Sequence, residues 1–399
     1  MKKAYLLISI LFFLNNVHVF SGDTIRVMHY NLMHFGNFTD YCTLENNPPA
    51  EKVSWLKTLV DHYLPDVLTV NELGTDPYYQ NLILEDALNT SGRNDFLMAA
   101  PTNYAGSDII NMLYYRSDLL GLADQDVIYS WLRDMNVYRL FSTNSVQRGI
   151  DTAFLYCIVA HFKAGSGVQD MAQRAQMAED IADYIQANNI THPCLLLGDL
   201  NLQHSTEQAW TNLTVSSDFN DPAGMAGWWH NNPDFSLVHS QSTHTESDGC
   251  HVIGGMDDRF DFILTNSTIQ QIESRIKLIS GSYQVPGQDG QRLNNSLIDP
   301  PNYSAPAGVI DAMYQLSDHL PVMIDLLMET DPVGPGWEYV QTMNSHILVI
   351  PPDAEVLIEG EAIQPGDFAG VFFFDGDVGK CAGYTLWQET GSNAVVAYG

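Results

Sequence analysis

A group of polar side chains stands where apolar runs end, which is where a buried core has least use for them. Asn31 follows "VMHY", Glu72 follows "DVLTVN", His161 follows "YCIVA", Asp199 and Asn201 follow "CLLLG", and Asp318 and His319 precede "LPVMIDL". If those runs are strands whose ends share one edge of a sandwich, the set converges on one pocket. Side chains two apart on a strand point to the same face, so Asp199 and Asn201 are expected to project together. Carboxylates plus neutral amide oxygens make a hard, oxygen-rich site suited to Mg²⁺, Mn²⁺ or Ca²⁺ rather than zinc. Histidines beside it suit proton transfer or phosphate contact. Each residue alone has a plainer reading: a strand-end turn for Asn31 and "GDLN", a solvated loop for Glu72, a surface histidine for His161, and the polar face of an edge strand for Asp261 in "RFDFIL". The weight lies in the set and its order.

The elements that must position these residues are legible as hydrophobic patterns. "TIRVMHYNL", "PDVLTVNEL", "IINMLYYR", "DTAFLYCIVAHF", "CLLLGDLN", "RFDFILTN" and "LPVMIDLLM" read as strands. "EKVSWLKTLVDHYL" reads as a helix that ends at Pro65. "DMAQRAQMAEDIADYIQANN" reads as an amphipathic helix with Met171, Ala175, Ala178, Ile181 and Ile185 on one face. The irregular alternation fits an α+β sandwich better than regular βαβ winding. After the Pro/Gly-rich "ETDPVGPGW" the composition shifts to short strands separated by Gly, Asp and Pro turns. The expected organisation is a catalytic domain over residues 22–330, a linker over 331–336 and a small all-β domain over 337–399. That last domain is read as a targeting, surface-anchoring, carbohydrate-binding or protein-binding unit.

Residues 1–21 read as an export signal, with Lys2 and Lys3 ahead of "AYLLISILFFL", a run too short to span a bilayer. The expected location is therefore secreted, cell-surface or periplasmic. The 48 acidic residues against 17 basic ones leave a formal charge of −31. That balance disfavours a polyanion clamp but not an enzyme that meets phosphates through a cation. Cys157 and Cys194 lie in strand-like runs and read as buried fillers, while the spacing leaves a Cys42–Cys250 bridge open.

Taken together, "HYNLMHFG", "PDVLTVNEL", "VAHFKAG", "LLLGDLN", "DDRFDFIL" and "SDHLPV" resemble, in order and context, the motifs of the endonuclease/exonuclease/phosphatase superfamily over Thr24 to Met328. The resemblance implies a deoxyribonuclease-like four-layer α/β/β/α sandwich. It implies Glu72 as the main Mg²⁺ ligand (or Mn²⁺, with Ca²⁺ as a further option), supported by Asn31 and Asp318. It implies Asp199 as the carboxylate that orients or activates water, Asn201 as a phosphate contact, His319 as the catalytic histidine with Asp261 behind it, and His161 as a second histidine that contacts phosphate and serves as acid. Two departures stand out. Asn71 replaces the usual Gln before Glu72, and Met33 stands where abasic-site endonucleases carry Asp, which disfavours that branch. Asp108 and Asn111 are the candidate partners of His161.

The expected activity is metal-dependent phosphodiester hydrolysis, with nucleic acid as the first substrate and a sphingomyelinase-like or phosphatase activity as the alternative. A non-catalytic surface-binding protein on the same fold is the reading from another class. The loop "HTESDGCHVIGGMDDR" is expected to shape the substrate side, and the sequence shows no exposed aromatic hairpin.

Overall fold

A computed structural model describes residues 22–143, 152–271, 274–329 and most of 337–398. The expected export signal and the 331–336 linker lie outside the described residues. In chain order the large unit runs β1 (Gly22–Phe35), α1 (Pro49–Tyr63), β2 (Val67–Gly74), α2 (Pro77–Ile83), β3 (Phe96–Met98), β4 (Ile109–Arg116), β5 (Leu120–Ile128) and β6 (Met135–Ser142). It continues through β7 (Phe154–His161), α3 (Val168–Ala187), β8 (Cys194–Asp199), α4 (Gln208–Thr211), β9 (Phe219–Asn220), β10 (Asp261–Asn266), β11 (Ile276–Leu278), α5 (Ala307–Leu316) and β12 (Val322–Glu329).

Two six-stranded sheets form, ordered β11-β12-β1-β2-β4-β3 and β5-β6-β7-β8-β10-β9. Buried apolar residues of both sheets, together with Leu56 and Leu59 of α1 and Val309 and Met313 of α5, make one core. A second core lies where β7, β8 and β10 meet α3, through Ile158, Leu196, Phe262, Met177 and Ile181. The architecture is the deoxyribonuclease-like sandwich, helices outside two facing sheets. Its strands read as nearly unbroken apolar runs because both faces are covered.

Strand direction decides where the polar ends fall. β1 and β2 are parallel, as are β7 and β8, so their C-terminal ends lie at one edge. β10 runs antiparallel to β8 and starts there, with Asp261 opposite Asp199. β12 runs antiparallel to β1 and starts at the same edge, with Val322 opposite His29. A Cβ at Gly198 would lie 1.8 Å from the Ala160 carbonyl oxygen, so glycine is required for β8 to close on β7 just before Asp199.

The predicted apolar face of α3 is rotated. Arg174, Met177, Ala178 and Ile181 are its buried residues, while Met171, Ala175 and Ile185 are half-exposed. Arg174 is buried because Glu207 receives it bidentately, at 2.9 Å to each oxygen. A charge pair hidden in the core is invisible to a hydrophobic pattern. Beyond residue 337, β13 (Ser345–Ile350) pairs with β18 (Asn393–Tyr398), β14 (Leu357–Ile358) with β15 (Glu361–Ala362), and β16 (Phe368–Asp375) with β17 (Val378–Leu386), all antiparallel.

Candidate active site

Six of the eight sequence-predicted site residues, Glu72, His161, Asp199, Asn201, Asp318 and His319, line one cleft of about 420 Å³. The other two lie directly behind it. Asp261 is wholly buried and accepts from His319 Nδ1 at 2.7 Å. Asn31 is wholly buried and bridges Glu72 Oε1 (3.1 Å) and Asp199 Oδ2 (3.0 Å) through its Nδ2. Its Oδ1 accepts the Met33 N–H at 2.9 Å.

Local backbone explains the placement. β1 carries extra residues between Asn31 and Phe35 relative to β2. Met33 and His34 take left-handed conformations, at φ 44° and 50°. Glu72 does the same at φ 58°, where β2 shifts register against β4. These opposed bulges bring the His34 N–H to Glu72 Oε2 at 3.0 Å. Asn201 also sits at φ 49°, because β8 ends at Asp199. Its shared direction with Asp199 comes from this turn, with its N–H on Asp199 Oδ1, and not from the strand alternation expected above. Backbone strain of this kind gathers where geometry serves a site.

A polar seam ties the sheets beneath the cleft. Asn71 accepts the Asp199 N–H at 2.8 Å and donates to Asn111 at 2.7 Å. Asn111 in turn donates to the Asp134 and Val159 carbonyls. The shorter Asn at 71 therefore still reaches across the sandwich. Asn111 is not the partner of His161, whose Nδ1 is buried without one. Its Nε2 lies 3.5 Å from Asp199 Oδ2 and 3.8 Å from Glu72 Oε1.

The electrostatics divide the histidines. Burial, then Arg133 and His319, hold the His161 pKa well below the usual range. Burial pulls His319 down, but Asp261, Asp199 and Asp318 outweigh it and raise its pKa well above the usual range. Burial and the neighbouring Asp261 and Glu72 push Asp199 up to about 7, against the opposing pull of His319. Burial also opposes ionisation of Glu72, but His34, His319 and the Asn31 amide win, and its pKa is lowered.

Glu72, His161 and Asp199 offer ligand atoms all within 4.8 Å of one another. Asp318 lies in the same cleft but is engaged by the Val252 N–H at 3.0 Å and Gln241 Nε2 at 3.3 Å. The donors fit a hard divalent cation. Two carboxylates this close, Asp199 buried and Glu72 part-buried, are a setting that a divalent cation would stabilise by sharing their charge. A second cluster, His244, Asp248 and His251, fits an ion less well. Its two rings stack face to face at 4.0 Å, which sends their lone pairs along parallel rather than convergent lines.

Four contributors escaped the sequence reading. Gln241 sits 2.8 Å from His319 Nε2. Ser317 Oγ ties the Asn31 carbonyl to the His319 N–H. His34 approaches Glu72, and it stands within the quoted "HYNLMHFG". Arg133 is subject to attraction from Glu72 and Asp199, yet its Nε and Nη1 are buried without a hydrogen-bond partner. The expected loop does shape the cleft, through Cys250 and Val252. Cys250 is bonded to Cys42. Cys157 and Cys194 are buried and free, as fillers should be. The sequence reading finds no aromatic hairpin of the kind that touches membranes, yet exposed aromatics do stand on a hairpin turn. The β5–β6 turn presents Tyr129 (63% exposed) and Trp131 (54%), and Tyr104 (74%) stands on a loop held to that turn by Asp134. Only the end residues of β5, Leu120 and Ile128, are buried, and its apolar residues do not alternate, so its hairpin carried no strand signal.

Fold and site together are a two-sheet sandwich with acidic residues and histidines gathered at the shared strand edge. No protein-family model and no curated protein matches the chain. Among solved structures it is similar to an endonuclease/exonuclease/phosphatase from Bacteroides vulgatus, at 13% identity over 77% of this chain and 100% of that one, TM-score 0.49. It is similar to D. rerio TDP2 complexed with a single-strand DNA product, at 13% identity, 76% and 98% coverage and TM-score 0.47. It is also similar to a mannosyl-6-phosphatase from Bacteroides thetaiotaomicron, at 12% identity, 76% and 99% coverage and TM-score 0.47.

Proposed function

We propose that the chain is a divalent-metal-dependent phosphodiester hydrolase. One observation carries this: Glu72, Asp199, Asp318, His161 and His319 meet in a single cleft with Asp261 fixed behind His319. Glu72, with Asp199 and Asp318 beside it, would hold the cation, and a cation there supplies neutralisation of charge developing on phosphoryl oxygens. The protein's own groups do the rest. Asp261 fixes the His319 ring and supports its charged form, leaving Nε2 turned to the cleft, 3.8 Å from Asp199 Oδ2. Asp199 is placed to orient a water, and the His161 N–H to hold a phosphoryl oxygen. Arg133 supplies fixed positive charge that no carboxylate has claimed by a hydrogen bond.

For substrate we favour short or single-stranded nucleic acid. Arg26, Arg93, Arg116, Lys163, Arg174, Arg259 and Arg292 are each paired to a carboxylate, which leaves no basic track for a long duplex among the described residues. Exposed aromatics can instead stack unpaired bases. The same aromatic turn favours a second reading, a zwitterionic phospholipid diester with Tyr129 and Trp131 at the interface. The deciding experiment assays the purified chain with Mg²⁺ or Mn²⁺, and with EDTA, on single-stranded DNA, RNA, plasmid and sphingomyelin vesicles. Cleavage of single strands that chelation abolishes supports the proposal. Turnover of vesicles alone selects the second reading, and full activity in EDTA or none on any substrate overturns both.

A further inference from the structure

Lys52 is 1% exposed, yet it forms no ion pair among the described residues. It stands in the first turn of α1, where side chains lean toward the helix N-terminus. All three ammonium donors are used: Leu32 O at 2.7 Å, Met33 O at 2.7 Å and Asn47 Oδ1 at 2.6 Å. The two carbonyls belong to the bulge of β1, in the stretch where pairing to β2 shifts register. Asn47 closes the same knot by donating to the His34 carbonyl at 2.8 Å. The product of the bulge is the His34 N–H on Glu72 Oε2.

From this geometry we infer that Lys52 is a positioning residue for the cation site: its ammonium holds the β1 bulge in the left-handed form that presents the His34 N–H to Glu72. This rests on the reading of Glu72 as a metal-holding carboxylate. A buried lysine would be a costly way merely to fill space, since its charge must be desolvated. The three acceptors match its three donors, and the nearest consequence lies at Glu72 and not in the core. Without the ammonium, two buried carbonyls lose their donor and the bulge is free to relax toward ordinary β pairing. Glu72 then loses the N–H that fixes one of its oxygens.

The test measures Mn²⁺ binding by calorimetry, with the melting temperature of the metal-free protein alongside, for the full chain and three variants. Lys52→Met should weaken Mn²⁺ binding about 10–100-fold, the usual effect of losing a partner that orients a ligand. Leu56→Ala, which opens the core one turn further along the same helix, should lower the melting temperature and leave Mn²⁺ affinity at the wild-type value. If Lys52→Met does not fold, Asn47→Ala carries the test, with a weaker Mn²⁺ affinity expected. Wild-type affinity in whichever of these two variants is folded would overturn the role of Lys52. Failure of the wild-type chain itself to bind Mn²⁺ would instead overturn the metal reading of the cleft.

Discussion

His319 and Asp199 sit at strand ends, so truncating them removes function without opening a core cavity. His319→Ala should lower kcat about 10²–10⁴-fold, the scale of a lost acid–base group, with a small change in melting temperature. Asp261→Asn should fall between wild type and that variant, because His319 keeps a hydrogen-bond partner but loses the charge supporting its protonated form. Paired kcat and melting measurements check both, and unfolding of either variant would mark "SDHLPV" as structural. Asp199 carries a separate prediction about pH. Its pKa in the fold is pushed up to about 7, above an ordinary carboxylate, so the folded state binds the proton more tightly than the unfolded one. The sign follows: its unfavourable contribution is absent at low pH and grows as pH rises toward that value. Asp199→Asn should therefore raise the melting temperature of the metal-free protein at pH 8, and the gain should shrink toward pH 4. A gain that is constant across this range would contradict the assignment.

At the scale of elements, the cleft is walled by connections, and the walls are tied. The segment carrying Tyr41 and Cys42 is joined to the one carrying Cys250 and Val252 by a disulfide spanning 208 residues. Val252 in turn holds Asp318. Replacing both cysteines by serine should cost roughly 2–5 kcal/mol, the range for losing a native disulfide, read by denaturant melts. It should also raise KM more than it lowers kcat, because a wall moves while the His319–Asp261 pair stays. An unchanged KM would mean the bridge serves stability alone. The β5–β6 hairpin offers the complementary probe. Trp131→Ala should weaken binding of single-stranded substrate and leave turnover of a small chromogenic phosphodiester unaltered. Equal losses on both substrates would place Trp131 in the chemistry and not in substrate binding.

For the whole molecule, among the described residues the strands after residue 337 pair only with one another, and none of the cleft residues comes from them. A chain ending near Thr330 is expected to fold and keep its turnover on that same small substrate. Loss of turnover with folding intact would give the C-terminal strands a part in the site. The charge of −31 bears on the same scale. With few cations available for phosphates, the dependence of cleavage on salt should be shallow, where a protein making many phosphate contacts would show a steep one.

Residue types at strand ends were legible because a buried strand has no use for Asn31, Glu72, Asp199 or His319 at its lip, so their presence called for a site. The strands that carry these residues were legible for the same reason: both faces are covered, and continuous apolar runs mark them. The sequence could not show β5, because only its end residues are buried and it has no regular apolar alternation. Nor could it show that α3 turns Arg174 inward, since only Glu207, 33 positions away, makes that burial tolerable. The bulge at Met33–His34, the knot around Lys52, the Asn71 seam, the closed Cys42–Cys250 bridge and the inward reach of Arg133 were all decided in three dimensions. Each depends on a partner distant in the chain, and a short side chain's donors and acceptors carry no record of which distant group will meet them.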